Sequence, residues 1–179
     1  MVDNKMQEIE IEKMVLHCGG TEDKHEKSVK LLGMITKRKV FNVQSTKRIP
    51  AFGISPGKKS GCKVTLRDKT KIIELLQRFF ASFDNELSGK KITHNQVCFG
   101  VHEYIEVPGL DYDRDIGILG LEVMVVFKRK GKRVGAKKIK QGNIPKKQQV
   151  KREEIEEYLI KEFDLEVLEK QWKLKIFKQ

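Results

Sequence analysis

One segment of this chain, residues 128–152, cannot fold on its own. The fold must therefore accommodate it between the elements on either side. It reads KRKGKRVGAKKIKQGNIPKKQQVKR, in which twelve of 25 residues are Lys or Arg and none is acidic. Its glycines, its proline and its few apolar residues leave it too little apolar surface to bury. An alternating apolar stretch precedes it and an amphipathic stretch follows it. We therefore expect a long basic loop inside the fold rather than a separate tail.

The charge of the whole chain predicts a polyanionic partner. Its 179 residues carry a formal net charge of +12, and a surplus of this size is typical of proteins that bind nucleic acid or an anionic membrane. A membrane surface fits less well, because the basic segment lacks an aromatic or Leu-rich face. The start of the chain lacks the apolar core of a signal peptide, and no apolar run approaches the ~20 residues of a membrane helix. The sequence therefore favours a cytoplasmic location.

Apolar periodicity predicts an α+β fold. Alternation predicts four strands, at 8–16, 62–66, 97–102 and 119–127. Helical spacing predicts three helices, at 22–36 with Thr21 as its N-cap, at 69–84, and at 152–163. The extended stretch before Pro56-Gly57 and the strand after it predict a long hairpin with a basic tip. We expect a two-layer sandwich, in which helices cover one face of a mostly antiparallel sheet and the other face is open to a ligand.

No catalytic or metal-binding motif stands out. Cys18, Cys62 and Cys98 are odd in number and widely spaced, which favours small buried side chains over a disulfide framework or a zinc site. Asp111, Asp113 and Asp115 have the spacing of a calcium loop, but Ile116 stands where that loop needs glycine, so we expect turn formers. The sequence lacks the P-loop, GxSxG, HExxH and GxGxxG patterns. We expect no enzyme, no metal and no cofactor.

Several segments resemble one known family. They are KRIPAFGI at 47–54, GCKVTLR at 61–67, CFGVHEYIEVPGLDYDRDIGILGLEV at 98–123, and VKREEIEEYLIKEF at 150–163. Together they are similar to the large-subunit ribosomal protein L-five family, called L-eleven in eukaryotes, in its archaeal and eukaryotic branch. The resemblance covers roughly 6–164. We take 1–164 as one RNA-binding domain and 165–179 as a C-terminal tail. Trp172 in this tail is a candidate to dock on a neighbour or on the protein itself.

The resemblance implies a structural ribosomal protein in the central protuberance. The expected partners are 5S rRNA, large-subunit rRNA, the neighbouring ribosomal protein that shares 5S rRNA, and P-site tRNA. It assigns 5S rRNA contacts to His17, Asn42, Gln44, Thr46, Lys47 and Arg48. It assigns the tRNA-contacting loop to Ser55, Pro56, Gly57, Lys58, Lys59 and Ser60.

The basic segment is expected to bind rRNA phosphates. Its candidate residues are Lys128, Arg129, Lys130, Lys132, Arg133, Lys137, Lys138, Lys140, Lys146 and Lys147. A second hypothesis is a general RNA chaperone or an RNA-processing factor that acts through this segment alone, and it predicts binding without preference among RNAs. If the organism is eukaryotic, a nucleolar stage would precede assembly.

Overall fold

The computed structural model describes residues 4–168, which form the predicted α+β fold. The strands are β1 (Ile9–Gly19), β2 (Phe41–Gln44), β3 (Lys59–Leu66), β4 (Glu86–Ser88), β5 (Ile92–Thr93), β6 (Gln96–Val101), β7 (Leu121–Arg129) and β8 (Glu166–Leu168). The helices are α1 (Asp23–Thr36), α2 (Lys69–Ala81), α3 (Arg133–Ala136) and α4 (Arg152–Phe163). Short 3-10 helices lie at Pro50–Phe52, Gly89–Lys91, Tyr104–Glu106 and Lys146–Gln148.

Six strands form the main sheet, in the order β2-β3-β1-β7-β6-β5. The pairs β1/β3, β2/β3 and β5/β6 are antiparallel. His17 of β1 contacts Glu122 of β7, whereas Glu8, just before β1, contacts Lys130, just after β7. The start of one strand thus lies beside the end of the other, so this pair is antiparallel too. A separate parallel pair joins β4 to β8, so residues 166–168 of the predicted tail belong to a sheet.

Alternation along the strands separates a buried face from an open one. In β7, Leu121, Val123, Val125 and Phe127 are buried, and the residues between them are exposed or half-buried. In β1 and β3, Cys18 lies opposite Cys62 and both thiols are buried, as predicted. Cys98 is half-buried. The hydrogen bond between the two opposed thiols and their burial raise the pKa of Cys18.

The chain divides into two compact units. The first comprises residues 13–82 and 99–124. Within it α1 packs against β3. The α2 stripe predicted from the sequence supplies buried apolar side chains, and the rings of Phe80 and Phe99 lie 5.3 Å apart.

The second unit comprises, among the described residues, 4–12, 83–98 and 125–168. Helix α4 packs against β5 and β8 within it. Ile155, Leu159 and Phe163 form the buried stripe of α4, and the ring of Tyr158 meets Phe127 edge-on at 5.6 Å. The basic segment lies wholly in this unit.

The predicted helices are confirmed, but two of their ends differ. Thr21 does not cap α1. Glu22 takes that position with a positive φ of 53°, and its carbonyl accepts from the His25 N–H over 2.9 Å. Helix α2 ends at Ala81 rather than near 84, because Asp84 and Asn85 adopt positive φ and turn the chain into β4. The described residues contain no helix with the length and apolar character needed to cross a membrane.

Candidate RNA-binding surfaces

An aromatic ring and two basic side chains form a row across the open face of the sheet. The strand register sets Phe41 of β2 opposite Lys63 of β3, and Lys63 opposite His17 of β1. The Phe41 side chain is 63% exposed, and the Lys63 ammonium lies 5.4 Å from the centre of its ring. His17 Nδ1 lies 3.2 Å from Glu122 Oε2. An exposed aromatic ring can stack on a base of RNA, and a cation beside it can pair with a phosphate.

A groove of about 610 Å³ opens beside this row. It is lined by Arg38, Lys39, Phe41, Lys63, Val64 and Thr65. Arg38 forms an ion pair with Asp68, so Lys39 and Lys63 are the lining cations without an ion pair in the described part of the chain. Sequence reasoning missed this groove, because its residues come from the connection after α1, the first residue of β2 and the second half of β3. Only the strand register brings them together.

The residues predicted to bind 5S rRNA do not all share one face. Asn42 lies opposite Cys62, one position away from the Phe41–Lys63 pair, and successive strand residues point to opposite faces. Asn42 therefore projects from the face opposite His17. Gln44, Thr46, Lys47 and Arg48 are exposed, and the last three lie in the connection that follows β2. A register shift between Val43 and Gln44 interrupts the alternation just before that connection.

The tip of the β2/β3 hairpin is not where the Pro-Gly signal predicted it. Ile49 and Ile54 exchange backbone hydrogen bonds of 2.8 and 3.2 Å around a 3-10 turn. The tip is therefore Pro50–Phe52 with Gly53, and it is apolar, with Phe52 74% exposed. The turn at Ser55–Gly57 lies nearer the base, because the Gly57 N–H donates to the Ser45 carbonyl over 2.8 Å.

Three residues of the predicted tRNA loop have other surroundings. Lys59 and Ser60 belong to β3. The Lys58 ammonium donates to Glu22 Oε1 over 2.7 Å, and this hydrogen bond lowers the pKa of Glu22. The predicted basic tip is therefore wrong. Lys58 points back to the start of α1 because Ser55–Gly57 folds against Ser45 instead of extending outward.

The base of the basic segment is paired with acids of its own chain. Arg129 donates to both carboxylate oxygens of Glu154, each at 2.6 Å. Lys130 pairs with Glu8, which raises the pKa of Lys130, and its ammonium also lies 4.0 Å from Glu10. Lys132 pairs with Glu12. The acidic side chains that alternate along the start of β1 thus meet the cations at the end of β7, because the two strands are neighbours.

The distal part of the segment carries cations that have no such partners. It folds into α3 and a 3-10 turn, and the Gln141 amide donates to the Gly135 carbonyl over 2.6 Å. Six of its basic side chains are exposed, and none forms an ion pair with any residue of 4–168. They are Arg133, Lys137, Lys138, Lys140, Lys146 and Lys147. Lys128 is half-buried at the end of β7.

Asn95 fixes the point where the basic segment returns to α4. It occupies the tight turn between β5 and β6 with a φ of 63°. Its Oδ1 accepts from the Val150 N–H over 2.8 Å, and its own N–H donates to the Val150 carbonyl over 3.2 Å. Nothing in the sequence links the His94-Asn95 turn to Val150.

Asp113 and Asp115 form a turn, as predicted, whereas Asp111 precedes it. Asp113 Oδ1 accepts from the Asp115 N–H over 2.9 Å, and the Asp113 N–H donates to the Tyr104 hydroxyl over 2.9 Å. Within residues 4–168 no three His, Cys, Asp or Glu side chains are arranged to hold a metal ion.

Comparison with known proteins gives one consistent result. The sequence pattern of the ribosomal L5 family C-terminus matches residues 59–164. A large ribosomal subunit protein uL5 from Archaeoglobus fulgidus is 35% identical over 88% of this chain and 89% of its own length. Proteins of the same name from Thermoplasma acidophilum (35%, over 92% of this chain and 99% of theirs) and Nanoarchaeum equitans (30%, over 93% and 100%) are also similar.

Proposed function

The chain belongs to the ribosomal L5 family, and from that premise we propose that it binds 5S rRNA in the central protuberance of the large ribosomal subunit. Members of this family are structural components of the ribosome and not enzymes. Their role in translation is to bind ribosomal RNA.

The observation that carries the proposal is the groove beside the Phe41–Lys63–His17 row. It offers an exposed ring for stacking, with the Lys39 and Lys63 ammonium groups beside it for phosphates. The Thr65 hydroxyl in the same groove can bond a sugar 2′-hydroxyl or a base edge, which is how proteins recognise unpaired RNA. Lys47 and Arg48 extend the positive surface along the hairpin. His17 completes the row on β1.

The β2/β3 hairpin would contact P-site tRNA. Its connection is exposed along Thr46–Gly53, and its apolar tip is flanked by Lys47 and Arg48. Such a tip can pack on a ribose or base edge while the flanking cations meet phosphates without reading sequence. The basic segment would contact large-subunit rRNA. The ribosomal protein that shares 5S rRNA would be the protein neighbour.

A competition assay tests this function. Labelled 5S rRNA is bound to the purified chain and challenged with excess tRNA or unrelated duplex RNA across a salt series. We expect 5S rRNA to remain bound at moderate salt while the competitors are lost. If all RNAs compete equally with one steep salt dependence, only the basic segment is acting, and the chaperone hypothesis replaces this one.

A matched pair of variants locates the site. Phe41→Ala removes the exposed ring in the groove, and Tyr112→Ala removes another exposed ring outside it. Loss of a stacked base costs about 1–3 kcal/mol of binding. We expect that loss for Phe41→Ala with 5S rRNA and unchanged binding for Tyr112→Ala. Equal effects of the two variants would remove the groove from the proposal. Lys47→Gln and Arg48→Gln then test the hairpin.

A further inference from the structure

Four glutamates surround the base of the basic segment. Glu8 just precedes β1, and Glu10 and Glu12 follow at alternate positions within it, so the three side chains lie on one side of the chain. They contact Lys130 and Lys132. The fourth, Glu154, comes from the first turn of α4 and holds Arg129. Three cations thus face four carboxylates, a local balance of +3 against −4.

The Arg129–Glu154 pair is better shielded than an ordinary surface ion pair, whereas Glu8 and Lys132 are exposed. The side chains of Arg129 and Glu154 are 13% and 33% exposed, and partial burial reduces screening by salt and water. Glu10 and Glu12 are half-buried as well. An RNA phosphate that approaches Lys130 or Lys132 must therefore displace a carboxylate already in contact, and that carboxylate then repels the phosphate.

We propose that Glu8, Glu10, Glu12 and Glu154 are intramolecular competitors of RNA, which fix the base of the basic segment and withhold Arg129, Lys130 and Lys132 from phosphates. RNA contact is thereby confined to the distal cations of the segment. This separation of paired from unpaired cations rests on the proposed rRNA binding, and it assigns that binding to the distal cations. It also limits adhesion to unrelated RNA, because binding without sequence preference grows with the number of phosphates that are neutralised.

Salt dependence distinguishes a paired cation from an unpaired one. The slope of log affinity against log salt changes by about 0.7–0.9 for each phosphate neutralised. A lysine that exchanges a carboxylate for a phosphate brings no net neutralisation, because the released carboxylate stays beside it. Replacing a carboxylate-paired lysine by a neutral residue should therefore leave the slope of log affinity against log salt nearly unchanged.

The first test compares two double variants of equal charge. Lys130→Gln with Lys132→Gln removes the paired cations, and Lys137→Gln with Lys138→Gln removes two unpaired ones. Binding of the full chain to large-subunit rRNA and to unrelated duplex RNA is measured across a salt series. We expect the distal pair to lower the slope by about 1.4–1.8 and the base pair to leave it unchanged. Equal losses from the two variants would overturn the inference.

The reciprocal test releases the cations. Glu8→Gln with Glu12→Gln should raise the affinity for unrelated duplex RNA and steepen its salt dependence, since Lys130 and Lys132 become available. Glu153→Gln with Glu157→Gln makes the same charge change on the exposed side of α4 and serves as the control. An equal rise from both would show a general charge effect and refute the competitor role.

Misfolding of a variant and failure of the proposed function can each be distinguished from failure of the competitor role. Circular dichroism checks that each variant is folded. If Glu8→Gln with Glu12→Gln does not fold, the two lysine pairs still decide the question. If the wild-type chain shows no preference for 5S rRNA, the proposed function fails. The slopes on duplex RNA nevertheless still report which cations contact phosphates.

Discussion

Replacing Glu154 tests how strongly the start of α4 and the end of β7 depend on one carboxylate. Glu154 receives two 2.6 Å bonds from the Arg129 guanidinium. It also accepts the Lys151 backbone N–H over 3.1 Å, so it satisfies an otherwise unpaired donor at the start of the helix. Glu154→Gln keeps the shape and one acceptor oxygen but removes the charge.

The expected loss of stability is about 2 kcal/mol. Breaking a fully buried ion pair costs about 3–5 kcal/mol, because the remaining charge is left without a partner. The cost here is smaller, because Glu154 is one third exposed and the glutamine carbonyl retains one hydrogen bond. For a chain of this length, about 2 kcal/mol corresponds to a fall in melting temperature of about 4–8 °C.

The same carboxylate predicts a pH dependence. Burial raises the pKa of Glu154, but the Arg129 guanidinium and the Lys151 N–H outweigh burial and hold the pKa below its ordinary 4.5. A lowered pKa in the folded chain means that the stabilisation is complete above pH 4.5 and is lost as pH falls through the lowered value. The gap in stability between wild type and Glu154→Gln should therefore be constant near neutrality and close in acid.

Thermal and urea unfolding from neutral pH down to about pH 3 measure both effects. Glu157→Gln, an exposed change on the same helix, is the control and should cost less than about 0.5 kcal/mol. If Glu154→Gln and Glu157→Gln lose equal stability, or if the gap does not narrow in acid, the ion pair does not stabilise the fold as argued.

Two further stability predictions concern buried polar groups. His25 is 3% exposed and neither ring nitrogen has a hydrogen-bond partner within residues 4–168, so His25→Leu should stabilise the chain by about 1 kcal/mol or more, measured as a higher melting temperature at neutral pH. Asn95→Ala should cost about 2 kcal/mol or more in urea unfolding, because it leaves the buried Val150 N–H unpaired and because alanine tolerates positive φ less well than asparagine. Asn95→Gly should cost less, since it retains the turn; equal losses would contradict the role of the backbone conformation.

Local periodicity predicted most of the elements, because the apolar side chains that alternate or recur at helical spacing are the ones that the core buries. In α2 the apolar stripe predicts the buried residues Ile72, Leu75, Leu76, Phe79 and Phe80. Ile73 belongs to the same apolar stretch but is partly exposed, because it lies at the edge of the stripe. The end of α2 was not predictable in this way. Positive φ at Asp84 and Asn85 ends it.

The hairpin shows where turn signals are insufficient. The sequence predicts the turn at SPG, but IPAFGI also contains proline and glycine and can form a turn as well. Which of the two is the tip depends on the partners of their flanking residues. The Ile49–Ile54 pairing makes the first one the tip, and the bond from Gly57 to Ser45 draws the second one back. Neither contact has a signature in local sequence. The proposed tRNA contact therefore shifts to a tip that is apolar rather than basic.

In the basic segment, local sequence likewise does not reveal which cations are paired in the fold. Composition counts each lysine alike, and the alternating glutamates at the start of β1 predict only a half-buried strand. Their meeting depends on β1 and β7 being neighbours, which places Glu8 beside a lysine 122 positions away. Strand order, not charge content, therefore separates cations that build the protein from cations available to RNA. Carboxylates pair part of the 37 Lys and Arg side chains within the fold, and by the proposed competition the unpaired ones are left to meet phosphates.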